Sequence, residues 1–279
     1  MAQKIKVAIA GINGRFGRAT AKAILADKEL ELVGGFGKPG ASYAGSDIGE
    51  LTGSGKTGVL VGESFLDMLD FNKPDVVLDF TEADAAIETA KLALERGVRP
   101  VVGTSGLDPE AIKLLEATAK KLKMGGMVVP NFSLGAVLMM EFAKEAARHF
   151  PHVEVVEMHN TGKKDAPSGT AMFTARKIAE VGGNFNPPVD EKELLDGARG
   201  GRHSSGVHVH SLRLPGLLSH QEVIFGAEGE ILTIRHDGLN TECYIRGILL
   251  AAKEVMKLDH LVIGLEKVLM GNSKEPSVV

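Results

Sequence analysis

Residues 158–171, MHNTGKKDAPSGTA, gather a group that titrates near neutrality, two ammonium groups and the residue types that open a helix. His159 can exchange a proton with the carbon skeleton of a bound ligand. Lys163 or Lys164 would bring point charge on the preceding loop. Ser168, Gly169 and Thr170, just after Pro167, read as a helix start, and the free N–H groups there bind carboxylates as readily as phosphates. Gly169 would let an anion reach the backbone, and Thr170 can donate its hydroxyl. A capped helix after a solvated loop accounts for APSGTA but not for HNTGKK. The chemistry indicated is proton transfer on a small acidic ligand.

A second constellation lies near the start. In AGINGRFGRA the glycines Gly11, Gly14 and Gly17 follow an apolar run and open a helical one. Glycine lets the backbone turn tightly and approach a pyrophosphate, and the helix N-terminus offers it N–H groups and positive dipole. Arg15 would add a full charge. An acid that accepts from the adenosine ribose usually stands at the end of the next strand. Here the run is VGGFGKPG, with Lys38 in place of an acid. A lysine pairs with a 2′-phosphate, which favours NADPH over NADH. The loops GTSG (103–106) and PNFSLG (130–135) follow further strand-like runs, where open α/β sheets bind ligands.

These segments need a scaffold, and the pattern supplies one. Strand-like IKVAIA (5–10), ELELVGGF (29–36), DVVLDF (75–80), RPVVGTS (99–105) and GMVVPNFS (126–133) alternate with helical stretches, which implies a parallel sheet. After about residue 150 the rhythm changes. HVEVVEMH (152–159) alternates, PSGTAMFTARKIAEVGG reads as a helix begun by proline, and GVHVHSLRL, HQEVIFG and EILTIRH follow as strands without helices between them. That implies a mostly antiparallel second domain. NTECYIRGILLAAKEVMKL reads as a last helix capped by Asn240.

Of 279 residues, 44% are hydrophobic and 24% charged, and the net charge is −4, so no basic excess points to nucleic acid. Cys243 is the sole cysteine, which excludes an intramolecular disulfide and fits a reducing compartment. No signal-peptide pattern and no bilayer-length apolar run stand out, so a soluble cytoplasmic protein with no membrane partner is expected. His208 and His210 share a strand face but lack an evident third ligand, so no metal is expected. KKLK (120–123) reads as a solvated helix end, and Met139 and Met140 as core.

EMHNTGKKDAPSGTA resembles the signature of the 4-hydroxy-tetrahydrodipicolinate reductase family, the reductases of lysine and diaminopimelate biosynthesis. VAIAGINGRFGRA, VVLDFT, VVGTSG, PNFSLG and the late LPGLLSHQEVIFG and LTIRHD resemble further blocks in family order, over nearly the whole chain. The glycine turn is generic; KKDAPSGTA is specific. The resemblance implies an α/β protein. Residues 1–131 would form a Rossmann-type dinucleotide-binding domain completed by a C-terminal helix, 240–279. Residues 132–239 would form a smaller mixed-sheet α+β domain for substrate and for assembly, usually into a homotetramer. It implies hydride transfer from NADPH or NADH to the cyclic imine dicarboxylate dihydrodipicolinate, giving tetrahydrodipicolinate.

By position, the resemblance makes His159 the proton donor, Lys163 a second active-site base that also holds substrate, and Gly169 and Thr170 the carboxylate cradle; Asn160 and Ser168 read as further substrate contacts. Gly11, Ile12, Asn13, Gly14, Arg15, Phe16, Gly103, Thr104, Ser105, Pro130, Asn131, Phe132 and Ser133 match cofactor contacts. Where the family commonly reads His-His-x-His-Lys, this chain reads His159-Asn160-Thr161-Gly162-Lys163. Asn160 can donate a hydrogen bond but cannot carry charge. Two rivals share the plan: a semialdehyde-type dehydrogenase, which needs no lysine-rich carboxylate cradle, and a non-catalytic dinucleotide sensor, which needs neither His159 nor Lys163.

Overall fold

The computed structural model describes residues 3–104, 106–190 and 192–271. In chain order the first elements are β1 (Ile5–Ala10), α1 (Arg15–Ala26), β2 (Leu30–Phe36), α2 (Ile48–Thr52), β3 (Val61–Gly62), α3 (Phe65–Asn72), β4 (Val76–Asp79), α4 (Ala83–Glu95), β5 (Arg99–Val102), α5 (Pro109–Leu122) and β6 (Gly126–Val128). Then come α6 (Leu134–Ala146), β7 (His152–His159), α7 (Gly169–Ala179), β8 (Gly201–Arg202), β9 (His208–Arg213), β10 (Ser219–Ala227) and β11 (Glu230–Gly238). The described chain closes with α8 (Glu242–Glu254), β12 (Leu261–Ile263) and α9 (Glu266–Leu269). It forms two compact units. One comprises residues up to Phe132 together with those from Tyr244 on, and the other comprises Ser133–Cys243.

In the first unit β1 and β4 are short, β-branched and apolar, and they are buried where they pair: Val7, Ile9, Val76 and Leu78 have no exposed surface. Each such side chain contributes roughly 1.5–3 kcal/mol. The sheet order is β12-β6-β5-β4-β1-β2-β3, with every pair parallel. Chain progression reverses direction beside β1, so the crevice between the carboxyl ends of β1 and β4 is the topological switch point, where such sheets bind ligands. Helices seal the sheet: Phe65, Met68 and Leu69 of α3 pack with Val77 and Ala93, and Leu115 and Ala119 of α5 pack with Val102, Val128 and Leu261. Asp108 starts α5 by accepting from the Glu110 N–H, and Pro109 occupies the first helical position.

The sequence suggests one terminal helix, but α8 ends at Glu254 and β12 follows it, pairing with β6 at the sheet edge. Asn240 does serve the start of α8, its Oδ1 accepting from the Glu242 N–H at 2.9 Å.

The second unit has the sheet order β11-β10-β7-β9-β8, antiparallel except for the β7–β9 pair. Alternation sets its two faces. Val153, Val155, Val209, Val223 and Phe225 are buried on one face, where α7 packs against β7 and β9, and α6 against β11 and α7. Met139 and Met140 of α6 are core residues, as their type suggests. The other face carries Glu154, Ile224, Ile231 and Arg235 and is half-buried to exposed. Pro167 does not occupy the first helical position: it precedes the cap Ser168 and follows a cis bond from Ala166.

Candidate active site

The glycine turn stands at the switch point. Gly11 has φ +79°, and a Cβ there would lie 3.0 Å from the Phe80 carbonyl oxygen. A Cβ on Gly17 would lie 2.3 Å from the Gly11 carbonyl oxygen, so both glycines are demanded by the packing of the backbone itself. Gly14 precedes α1 with no side-chain cap and no acid in the first turn. The first N–H groups and the dipole of α1 therefore meet no carboxylate of its own turn. Arg15 is exposed there, its guanidinium 5.5 Å from the Phe16 ring centre. Ile12 is buried, and its N–H donates to the Phe36 carbonyl at 3.1 Å. Asn13 is held by Arg18, whose Nε donates to its Oδ1 at 2.9 Å.

Lys38 is exposed two residues beyond β2, and its N–H donates to the Tyr43 hydroxyl at 3.1 Å. No Asp or Glu stands between residues 32 and 46.

Beside the turn, Asp79 is buried and accepts from the Thr81 N–H at 2.8 Å and the Thr81 hydroxyl at 2.6 Å. Thr104 ties the next loop to this one, donating to the Thr81 carbonyl at 2.6 Å. A Cβ on Gly103 would lie 2.6 Å from the Phe132 ring. Phe16 stacks on Phe80 at 6.0 Å and meets Tyr244 edge-on at 5.2 Å, and Phe80 meets Phe132 at 6.1 Å. The structure thus brings the expected residues Gly11–Phe16, Gly103, Thr104 and Phe132 to one end of the parallel sheet. Pro130 is exposed and Asn131 half-buried on the run after β6. Ser105 lies outside the described residues. Ser133 belongs to the second unit, where it caps α6 and its hydroxyl lies 3.0 Å from His236 Nε2.

In the second unit the expected substrate residues converge. His159 is the last residue of β7, and its Nδ1 lies 2.5 Å from Glu157 Oε2. Glu157 is wholly buried. It also accepts from Arg213 Nη1 at 2.9 Å, Arg213 Nη2 at 2.8 Å and the Ser168 N–H at 3.1 Å. Arg213 Nη2 further donates to the Asp165 carbonyl at 2.7 Å. Asp165 grips Lys163, with Nζ 2.8 and 3.0 Å from its two oxygens. Asn160 Oδ1 accepts from the Gly162 N–H at 2.9 Å, closing the turn before Lys163. Ser168 caps α7 by accepting from the Ala171 N–H. At the helix start, Gly169 is exposed, and a Cβ there would meet nothing within 4 Å. Thr170 follows, half-buried.

Burial opposes charge on Glu157, yet Arg213 first, then Ser211 and His159, hold its carboxyl below the usual range. Burial is also the largest influence on His159 and lowers its pKa; the charges of Lys163 and Arg213 push the same way, against Glu157. The ammonium of Lys163 is thus felt at the imidazole, while Lys164 is exposed. Asp165 sits low chiefly because Lys163 donates to it.

Glu157, Asp165 and Arg213 do not emerge from motif spacing alone. One signal existed for Glu157: alternation in HVEVVEMH puts it in the same buried row as Val153 and Val155. His208 and His210 bond to protein groups, the Arg199 carbonyl and Glu154. A cavity of about 420 Å³ in this unit is lined by His152, Glu154, Arg199, Arg202 and Ile231 among others, and includes none of the expected site residues.

The chain matches the family models described as dihydrodipicolinate reductase, N-terminus, over residues 5–132 and dihydrodipicolinate reductase, C-terminus, over residues 135–269. It is 46% identical to a 4-hydroxy-tetrahydrodipicolinate reductase of Synechococcus elongatus, over 96% of this chain and all of that one. It is 45% identical to a protein of the same name from a Cyanothece species, over 95% of this chain and 98% of the other. Among solved structures, a dipicolinate-bound dihydrodipicolinate reductase from Paenisporosarcina sp. TG-14 superposes with a TM-score of 0.85 at 38% identity, covering 95% of this chain and 100% of that one.

Proposed function

The chain belongs to the dihydrodipicolinate reductase family, and on that premise we propose which of its residues carry the reaction. Membership makes it an NAD(P)H-dependent oxidoreductase of lysine and diaminopimelate biosynthesis, acting on a small dicarboxylate. The reaction consumes the dihydrodipicolinate formed from 4-hydroxy-tetrahydrodipicolinate, one reduced nicotinamide and one proton, and yields tetrahydrodipicolinate and the oxidised cofactor.

The first unit binds the dinucleotide. The Gly11–Phe16 turn suits it: the α1 start has no acid in its first turn, and Gly14 is exposed. The first backbone N–H groups of α1, from Arg15 on, and the Arg15 guanidinium would hold the pyrophosphate, the N–H groups of Gly11, Ile12 and Gly14 being bonded within the protein. Gly103, Thr104, Pro130, Asn131 and Phe132 would complete the cofactor contacts of this unit. Lys38, in a run without Asp or Glu from residue 32 to 46, favours the 2′-phosphate, so NADPH would be preferred. When bound, the reduced nicotinamide supplies the hydride.

The second unit holds the dicarboxylate. The helix start at Gly169–Thr170 and the ammonium of Lys163 take a carboxylate, which exchanges with Asp165 for Lys163, while the Ser168 N–H stays with Glu157. Asn160 donates from its amide nitrogen, its oxygen being taken by Gly162. His159 gives the proton to the carbon next to the one reduced, and Lys163 assists. The observation that carries this assignment is the open space over Gly169. No packing requires glycine there, unlike Gly11 and Gly17, so its want of a side chain suits a ligand approaching the helix start.

The test is NADPH oxidation fed with freshly formed dihydrodipicolinate, repeated with NADH. Turnover with both, faster with NADPH, is expected; oxidation only with a semialdehyde, or with no substrate, contradicts the assignment. We further propose a cytoplasmic location and a homotetramer joined through the second unit; the exposed Ile231 on the sheet face opposite α6 and α7 supports the assembly.

A further inference from the structure

We propose that Glu157 is the positioning residue of this site, fixing which nitrogen of His159 faces the ligand. The inference rests on the assignment of His159 as proton donor and concerns a residue that donates nothing itself. Glu157 and His159 share one face of β7, and the wholly buried carboxylate meets Nδ1 at 2.5 Å. A carboxylate held ionised accepts, so Nδ1 carries the hydrogen and Nε2 is the nitrogen left to exchange a proton.

A merely structural role explains less. Val153 and Val155 occupy the same row, and an apolar residue at 157 would avoid the cost of burying charge. Instead the carboxylate joins every segment of the site. It takes both Nη groups of Arg213 from β9, the Ser168 N–H at the start of α7, and the imidazole. Through Arg213 it reaches the Asp165 carbonyl, and through Asp165 the ammonium of Lys163. Among the described residues, the charged groups that act most strongly on His159 are Glu157 on its own strand, Arg213 from β9 and Lys163 from the loop, the last paired with Asp165; Ser219, opposite it on β10, is neutral. Glu157 is the one negative charge among them, so it stabilises the imidazolium against two cations.

The parent protein and Glu157→Gln test this. In the parent, nitrogen-15 NMR of histidine-labelled protein is expected to show neutral His159 protonated at Nδ1. In Glu157→Gln, kcat is expected to fall by about 10²–10⁴-fold with the KM for NADPH within about twofold. The protonated imidazole is the donor, so the rate falls as pH rises through its pKa. Without the carboxylate that limb of kcat/KM moves down by about one pH unit or more. Neutral His159 protonated at Nε2 in an active parent overturns the proposal and leaves the reductase assignment standing. So does a Glu157→Gln enzyme with parental kcat and pH profile. If the variant does not fold, the NMR of the parent decides. A parent that does not reduce dihydrodipicolinate removes the donor role of His159, and the proposal with it.

Discussion

Gly169 and Gly17 each stand within the first turn of a helix, and they are glycine for opposite reasons. A Cβ on Gly17 would lie 2.3 Å from the Gly11 carbonyl oxygen, whereas one on Gly169 would meet nothing within 4 Å. Gly17→Ala overpacks the turn and should lower stability by about 1–3 kcal/mol or more, read as a fall in Tm. Gly169→Ala should leave Tm unchanged or raise stability by up to about 1 kcal/mol, since it only restricts the unfolded chain. The same methyl should raise the KM for dihydrodipicolinate by about tenfold or more, equivalent to roughly 1.4 kcal/mol. Equal effects of the two substitutions on Tm and KM would contradict the assignment of Gly169 to the ligand.

Lys38 is exposed just beyond β2, in a stretch free of acids. If it pairs with the 2′-phosphate, Lys38→Asp should reduce kcat/KM for NADPH by about 10–100-fold, the worth of a charge-assisted hydrogen bond. The value for NADH should hold or rise, because aspartate accepts from ribose hydroxyls. Unchanged discrimination in steady-state assays with both cofactors would leave Lys38 a solvated turn residue.

Asp47 links acid to stability. Its carboxylate starts α2 and accepts from the N–H groups of Gly49, Glu50, Thr57 and Gly58. Burial works against the charge, but these bonds, led by those of Thr57 and Gly58, hold the pKa at about 2, below the ordinary 3.8. A depressed carboxylate stabilises the fold fully above the ordinary value, and that contribution is lost as pH falls through the folded one. Asp47→Asn should therefore melt below the parent at pH 7, and the gap should narrow between pH 3.8 and 2. A gap that stays constant over that window would contradict the account.

Ile231 is 76% exposed on β11, on the outer face of the second sheet. If that face joins subunits, Ile231→Asp should shift the species seen by size-exclusion chromatography with light scattering from tetramer toward smaller forms. A parent that runs as a monomer would end the proposal.

How far the sequence was legible follows from where each signal lies. β1 and its glycine turn are contiguous, and their period and spacing survive without a structure. The helix start after Pro167 was legible to within two positions, because Pro167 and Ser168 are both start signals and only the backbone shows which residue caps. β12 is three residues, too short for a period to show, and its partner β6 lies more than a hundred residues earlier. The site divides the same way. His159 and Lys163 carry chemistry on their face. Glu157 looks like a polar residue on a strand until β9 is placed in register, which sets Arg213 beside His159.

The role of Lys163 is tested most directly by one pair of measurements on Lys163→Ala: turnover of dihydrodipicolinate, and the Kd for NADPH by fluorescence titration. The ammonium lies in the second unit, paired with Asp165 and felt by His159. Its removal should cut turnover by about 10²–10⁴-fold while the Kd for NADPH changes by less than about twofold. Turnover that survives the substitution, or cofactor affinity that collapses with it, would contradict the assignment of this loop to the dicarboxylate.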